Sequence, residues 1–409
     1  MSSTTLRQRF SFTATQWKVL LTLASMVGLR MLGLFLVLPV FTLYGLRFTS
    51  SKFLVGFAFG AYALTMAILQ IPLGRLSDRI GRRKVLVIGM TLFSVGSFFC
   101  ALPPLFPHSW QIGELIFGRL VQGGGAIISV AFATVADYVE PERRSTAMAV
   151  LGIPIGISFA VGIIGGPILA GWFGTASLFW LTGFLGLATD ILLVRYLKDE
   201  RPQREAAAPM AEVFSHPPLV VYAAGGFLIN FFMTTFFFYF PLIVTGQHHL
   251  KLTQYYMLLL PMMVISGVTM FGFSQGADKG WARPLAAFAY LMFIPSFLLL
   301  FAPAWLGQNP QRLLPVFLAG TLFYIGFTGL EPILPSLVSK ASPGTSYGTA
   351  LGFYNTAQFL GSTVGGSLAG ALANYPPERI LFTMMTAAAI GFVMMVSTQP
   401  PARAGTAPR

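Results

Sequence analysis

Apolar residues run through this chain in long, nearly unbroken stretches, separated by short polar turns. Stretches lie near 17–45, 53–73, 84–104, 110–137, 143–171 and 176–197. Six more lie near 219–246, 254–275, 283–302, 312–338, 346–373 and 378–398. A helix crossing a bilayer core of roughly 30 Å needs about 20 apolar residues, so each stretch is long enough to span. The pattern therefore predicts an all-α membrane protein with twelve transmembrane helices. An even number of crossings places both termini on one side.

Composition agrees with the pattern. The chain has 409 residues, 55% of them hydrophobic and only 10% charged, with a mean hydropathy of +0.73. A soluble protein commonly has about a quarter of its residues charged. The first apolar stretch is too long for a cleaved signal peptide and is expected to remain as a span. Cys100 is the only cysteine, which excludes an intrachain disulfide and a cysteine metal cluster.

The net charge of +13 could suggest a nucleic-acid partner, but the placement of the charges argues against it. Of the 26 Lys and Arg, 19 fall in the tails and in the loops after spans 2, 4, 6, 8 and 10. The opposite loops hold 5, namely Arg47, Lys52, Lys251, Arg312 and Arg379, and Arg30 and Arg119 lie within spans. The positive-inside rule then makes both termini cytoplasmic. The long polar segment 198–216, with Arg201, Pro202 and Arg204, reads as a cytoplasmic linker between an N-terminal bundle, 1–197, and a C-terminal bundle, 217–409.

The two halves repeat one another at an offset of 200. Asp78 falls on Asp278, Arg83 on Arg283, Leu151-Gly152 on Leu351-Gly352, and Gly165-Gly166 on Gly365-Gly366. Two pseudo-symmetric six-helix bundles form a transporter architecture, with substrate held at mid-membrane between them.

The loop after span 2 reads Gly74-Arg75-Leu76-Ser77-Asp78-Arg79-Ile80-Gly81-Arg82-Arg83-Lys84. Gly74 and Gly81 are expected to let helices approach closely, and Asp78 suits the positive end of the following helix. This run resembles the signature loop of the major facilitator superfamily, position for position. The resemblance implies the major facilitator fold and a gate latch built from Asp78, Arg79 and Asp137, with Gly74, Gly81, Arg82 and Arg83 shaping the loop. Read from the residues alone, Asp137 could equally face Arg143 and Arg144.

Span 4 carries Arg119-Leu120-Val121-Gln122-Gly123-Gly124-Gly125. An arginine this deep costs about 3 kcal/mol on insertion scales and should face a partner inside the bundle. The stretch resembles the superfamily's span-4 motif, whose arginine is associated with proton coupling; hydrogen-bonded packing is the alternative. Span 5 carries Gly162, Gly166, Pro167 and Gly171, small residues that make a groove for a neighbouring helix. It resembles the motif of drug/proton antiporters, departing at Ala170 and at the displaced Gly152. A packing face without bearing on direction remains open. Arg30 to Val40 in span 1, Glu331 to Leu337 and Gln358 to Gly361 resemble the YajR-type branch of bacterial twelve-span drug antiporters, with Thr42 where a second proline is usual. That resemblance covers nearly all of the chain.

All four histidines lie in loops or at their edges. Proton coupling then falls to carboxylates in the spans, Glu331 and Asp190, with Glu114 near the outer end of span 4. Glu331 could instead sit in a permanent ion pair, Asp190 could reach Arg195, and Arg30 could partner either acid. Tyr62, Gln70, Gln122, Asn230, Phe236, Tyr324, Asn355 and Gln358 are candidate cavity residues among 39 phenylalanines, suited to amphipathic solutes. Lipid-facing aromatics are the alternative.

The expectation is a secondary transporter, a proton-coupled exporter of small amphipathic or drug-like molecules. It would work as a monomer in the bacterial cytoplasmic membrane, with a small-molecule substrate, protons and the lipid bilayer as partners. No cofactor and no metal are expected, the proton gradient supplying the energy. A carrier for a sugar or organic acid, and a non-transporting sensor, are the competing classes. An enzyme is disfavoured because no His–carboxylate or Ser–His arrangement lies in the spans.

Overall fold

The computed structural model describes residues 12–140, 143–198, 215–306, 313–342 and 347–398. Arg7, Arg9, Arg312, the C-terminal arginines and nearly all of the 198–216 segment lie outside the described residues. The described secondary structure is helical: α1 (Ala14–Val37), α2 (Phe41–Gly45), α3 (Lys52–Ile80), α4 (Arg82–Ala101), α5 (His108–Gly123), α6 (Ile128–Tyr138), α7 (Arg144–Phe173) and α8 (Thr175–Tyr196). There follow α9 (Pro217–Gly246), α10 (Tyr256–Gly276), α11 (Ala282–Leu306), α12 (Leu314–Ala341), α13 (Tyr347–Leu372) and α14 (Pro377–Ser397).

Among the described residues, ten stretches are long and apolar enough to cross a membrane. One of them, Leu252–Phe301, holds both α10 and α11, and α13 adds a further long helix of 26 residues, giving the twelve spans of the sequence reading. Two expected spans are interrupted. Span 1 breaks between Val37 and Phe41, around Pro39, which has no N–H to extend the ladder. Span 4 breaks after Gly123, within the triple-glycine run, and resumes at Ile128.

Local chemistry explains the ends. At the start of α1, Gln16 N donates to Thr13 Oγ1 at 3.2 Å while Thr13 N donates to Gln16 Oε1 at 3.0 Å, a capping box. The same Gln16 donates from Nε2 to the carbonyl of Tyr138 at 3.0 Å, tying α1 to the end of α6. Gly81, between α3 and α4, has φ 106°, and Gly280, between α10 and α11, has φ 96°. Side chains with a Cβ avoid that region, so glycine is required at both turns.

The residues group into two compact units, one of 1–204, 236–259 and 366–371, the other of 205–235, 260–365 and 372–409. In the first, α7 lies directly on α1. A Cβ at Gly162 would press on Phe35, one at Gly166 would overlap the carbonyl of Leu36, and Ser158 Oγ donates to the carbonyl of Gly28 at 2.8 Å. Gly171 lies against Thr253 in the same unit, and Pro167 sits inside α7. In the second unit α13 lies on α9 in the same way, Gly361 against the carbonyl of Phe227 and Gly365 against that of Phe231. The pairs Gly162/Gly361, Gly166/Gly365 and Gly81/Gly280 are each 199 residues apart, so these packing contacts repeat one residue short of the offset read from the sequence.

Candidate functional site

The loop between α3 and α4 is organised by Arg82, the first residue of α4, which is only 4% exposed. Its Nη1 lies 2.6 Å from Asp78 Oδ1, its Nε lies 2.9 Å from Asp137 Oδ2, and Nη1 also donates to Ser77 Oγ. One guanidinium thus joins the end of α3, the start of α4 and the end of α6. The fork of Arg suits this, because its donors point in fixed directions toward separate acceptors. Arg82 pairs with two carboxylates, one on α3 and one on α6.

The neighbouring basic residues do other work. Arg79 is exposed, and Arg83 Nη1 donates to the carbonyl of Leu197 at the end of α8, at 3.4 Å. Arg144 donates to the carbonyls of Val139 and Ala136, covering the last turn of α6. The close approach expected at Gly74 does not occur: a Cβ there would meet only Ser129 Oγ, at an ordinary 3.9 Å. Gly81 is needed for its backbone angle instead. In the second half Arg283 donates to the carbonyl of Val396, in the last turn of α14, at 3.0 Å, repeating the Arg83 contact. The residue matching Arg82 there is Ala282, so the bridging guanidinium has no counterpart beside Asp278.

Deep in the first unit two arginines converge on one ring. Arg30 of α1, 1% exposed, donates from Nη2 to the hydroxyl of Tyr62 at 2.5 Å and to Met66 Sδ at 3.3 Å. Arg119 of α5, 5% exposed, places its guanidinium carbon 4.8 Å from the Tyr62 ring centre and 5.1 Å from that of Phe41. Arg119 Nη1 donates to Gln122 Oε1, and Gln122 Nε2 donates to Ser97 Oγ at 2.8 Å. Gln122 is therefore tied into this network. Gln70 is also buried, and its side-chain amide finds no partner among the described residues.

Asp190 and Glu331 sit elsewhere. Asp190 of α8 accepts from Thr91 Oγ1 of α4 at 3.0 Å, an exposed contact that involves neither Arg30 nor Arg195. Glu331 lies half-buried beside Pro332 in α12. In the same unit, Gln358 Nε2 donates to Tyr354 Oη at 3.2 Å and Ser362 Oγ donates to Asn230 Oδ1 at 3.3 Å. Asn355 is half-buried, and Tyr324 is fully buried. Phe236 is fully buried, 5.0 Å from the ring centre of Phe240, as are Phe237 and Phe238, so this run faces protein rather than lipid.

Sequence reasoning named Arg82 only as one of several loop cations. The signal that could have singled it out is its place four residues after Asp78 and beside the α4 N-terminus. Ser77, Ser97, Met66 and Tyr354 carried no such signal.

The sequence profile of the Major Facilitator Superfamily matches residues 23–366. The chain belongs to the Major Facilitator Superfamily. This transporter is 33% identical to the inner membrane transport protein YajR of Escherichia coli (strain K12) over 355 residues, 85% of this chain and 76% of YajR. It is also 33% identical over 154 residues to the multidrug resistance protein MdtL of Escherichia coli O81, covering 37% of this chain and 38% of MdtL. Among solved structures, a D-xylose–proton symporter superposes with a TM-score of 0.74 at 16% identity, over 94% of this chain and 98% of that one. That likeness carries the fold, twelve transmembrane helices in two six-helix bundles, and the chain is a multi-pass membrane transporter.

Proposed function

We propose that this transporter is a proton-coupled exporter of small amphipathic molecules in the bacterial cytoplasmic membrane, with both termini cytoplasmic and the monomer as the working unit. The observation that carries this reading is the Arg82 bridge to Asp78 and Asp137, which fastens three helix ends at one turn. A bridge of that kind has two discrete states, made and broken, as a rocking transporter requires. Asp78, Asp137 and Arg82 form the latch, with Arg79 and Arg83 around it. The relatedness to YajR and to multidrug resistance proteins supports export.

Protons act at Glu331, an acid in a helix that contains Pro332 and Pro335, with Arg119 and Arg30 as the fixed positive charges of the first half. Asp190, half-buried and bonded to Thr91, serves structure more than coupling. Solute contacts are assigned to Tyr62, Gln70 and Gln122 of the first unit and to Asn230, Tyr324, Asn355 and Gln358 of the second. Proteoliposomes with an imposed proton gradient test the proposal. A lipophilic dye should move, and Asp78→Asn and Glu331→Gln should each slow it at least tenfold. A gradient that moves no compound from a broad panel, in vesicles or in pump-deficient cells, removes export.

A further inference from the structure

We infer that Arg30 and Arg119 form a binding site for a monovalent anionic group, of carboxylate or halide type, within the first unit. Both guanidiniums are nearly excluded from solvent and both lie at Tyr62, Arg30 through its hydroxyl and Arg119 over its ring face. Their known partners are neutral: a phenol, a thioether, an amide oxygen, a backbone carbonyl and aromatic faces. Neither reaches a carboxylate among the described residues. Three guanidinium nitrogens, Nε and Nη1 of Arg30 and Nε of Arg119, have no acceptor among the described residues.

Guanidinium cannot shed its charge, so burial leaves two positive charges without a carboxylate and three nitrogens without an acceptor among the described residues. Buried donors of this kind are normally satisfied. A single anionic group offsets one of the two charges and accepts from the open donors, which an uncharged solute does not. Phe41, Phe93 and Tyr62 around it offer apolar surface, so the fitting ligand is a small anion or the acidic head of a molecule with an aromatic or aliphatic body. The site is closed in this structure, and an anion enters when the helices carrying Arg30 and Tyr62 part. The step from a bound anion to an acidic amphipathic substrate rests on the transport reading above.

Benzoate and chloride are the probes, titrated separately by calorimetry into the purified full chain in Tris neutralised with HEPES. Saturable benzoate binding that weakens at least tenfold in Arg30→Gln and in Arg119→Gln is expected, and it assigns the group to a solute carboxylate. The same pattern for chloride alone keeps the site and assigns it to a resident halide. Binding of neither probe, or binding that both substitutions leave unchanged, overturns the inference. Should a substitution prevent folding, the native chain still decides. Benzoate or chloride must raise its unfolding temperature more than methyl benzoate does, and equal shifts overturn the site. A chain that binds benzoate yet moves nothing under a proton gradient would remove export and leave the site standing. Export of a cationic dye with neither anion bound would do the reverse.

Discussion

Arg82 Nε and Asp137 Oδ2 stand 2.9 Å apart, joining the first residue of α4 to the end of α6 across 55 positions of sequence. Asp137 is 17% exposed and Asp78 is 48% exposed, so the two carboxylates that share Arg82 are not equivalent. Water screens the Asp78 contact, whereas the Asp137 contact is sheltered.

Removing either acid should therefore have unequal effects on stability. Asp137→Asn should lower the unfolding free energy by about 2 kcal/mol, and Asp78→Asn by under about 1 kcal/mol once solvent screening is allowed for. Arg82→Gln should exceed both, because it strands two carboxylates. Unfolding midpoints in detergent for the three variants check the order. A larger loss for Asp78→Asn than for Asp137→Asn would contradict it.

The helix-packing glycines divide in the same way. Gly166→Ala places a methyl group onto the Leu36 carbonyl, which is backbone and cannot swing aside, so a loss of about 2 kcal/mol is expected. Gly152 and Gly156 have open space where a Cβ would stand. Alanine at either should be neutral or stabilising by up to about 1 kcal/mol, through helix propensity. Thermal unfolding of these single variants separates the two classes.

Turn glycines give a third contrast. Gly81→Ala and Gly280→Ala force a Cβ into positive φ, at a cost of about 1–2 kcal/mol each. Gly74→Ala should be tolerated because its neighbour is 3.9 Å away. Protease resistance of the loop in membrane vesicles reports on all three.

The in-span acids differ in what their neutralisation should do. Glu331→Gln should abolish the dependence of transport on the proton gradient while leaving the fold intact. Asp190→Asn, which keeps an acceptor for Thr91 Oγ1, should transport at close to the native rate. Dye flux measured with and without an imposed gradient distinguishes them.

The length and placement of the apolar stretches were enough to predict twelve spans, because a helix must satisfy its backbone within itself before it can enter a bilayer. The loop motif and the repeat between halves were also readable, since both are patterns of residue type at fixed spacing. Tertiary structure alone decided which cation bridges the loop. Arg79, Arg82 and Arg83 are alike in charge, and the direction of each along the helix sends one to solvent, one to two carboxylates and one to the end of α8. It also decided that Arg30 and Arg119, 89 residues apart, meet at Tyr62 rather than at an acid. Spacing along a chain fixes which face of a helix a residue occupies, but only packing against other helices fixes what that face meets.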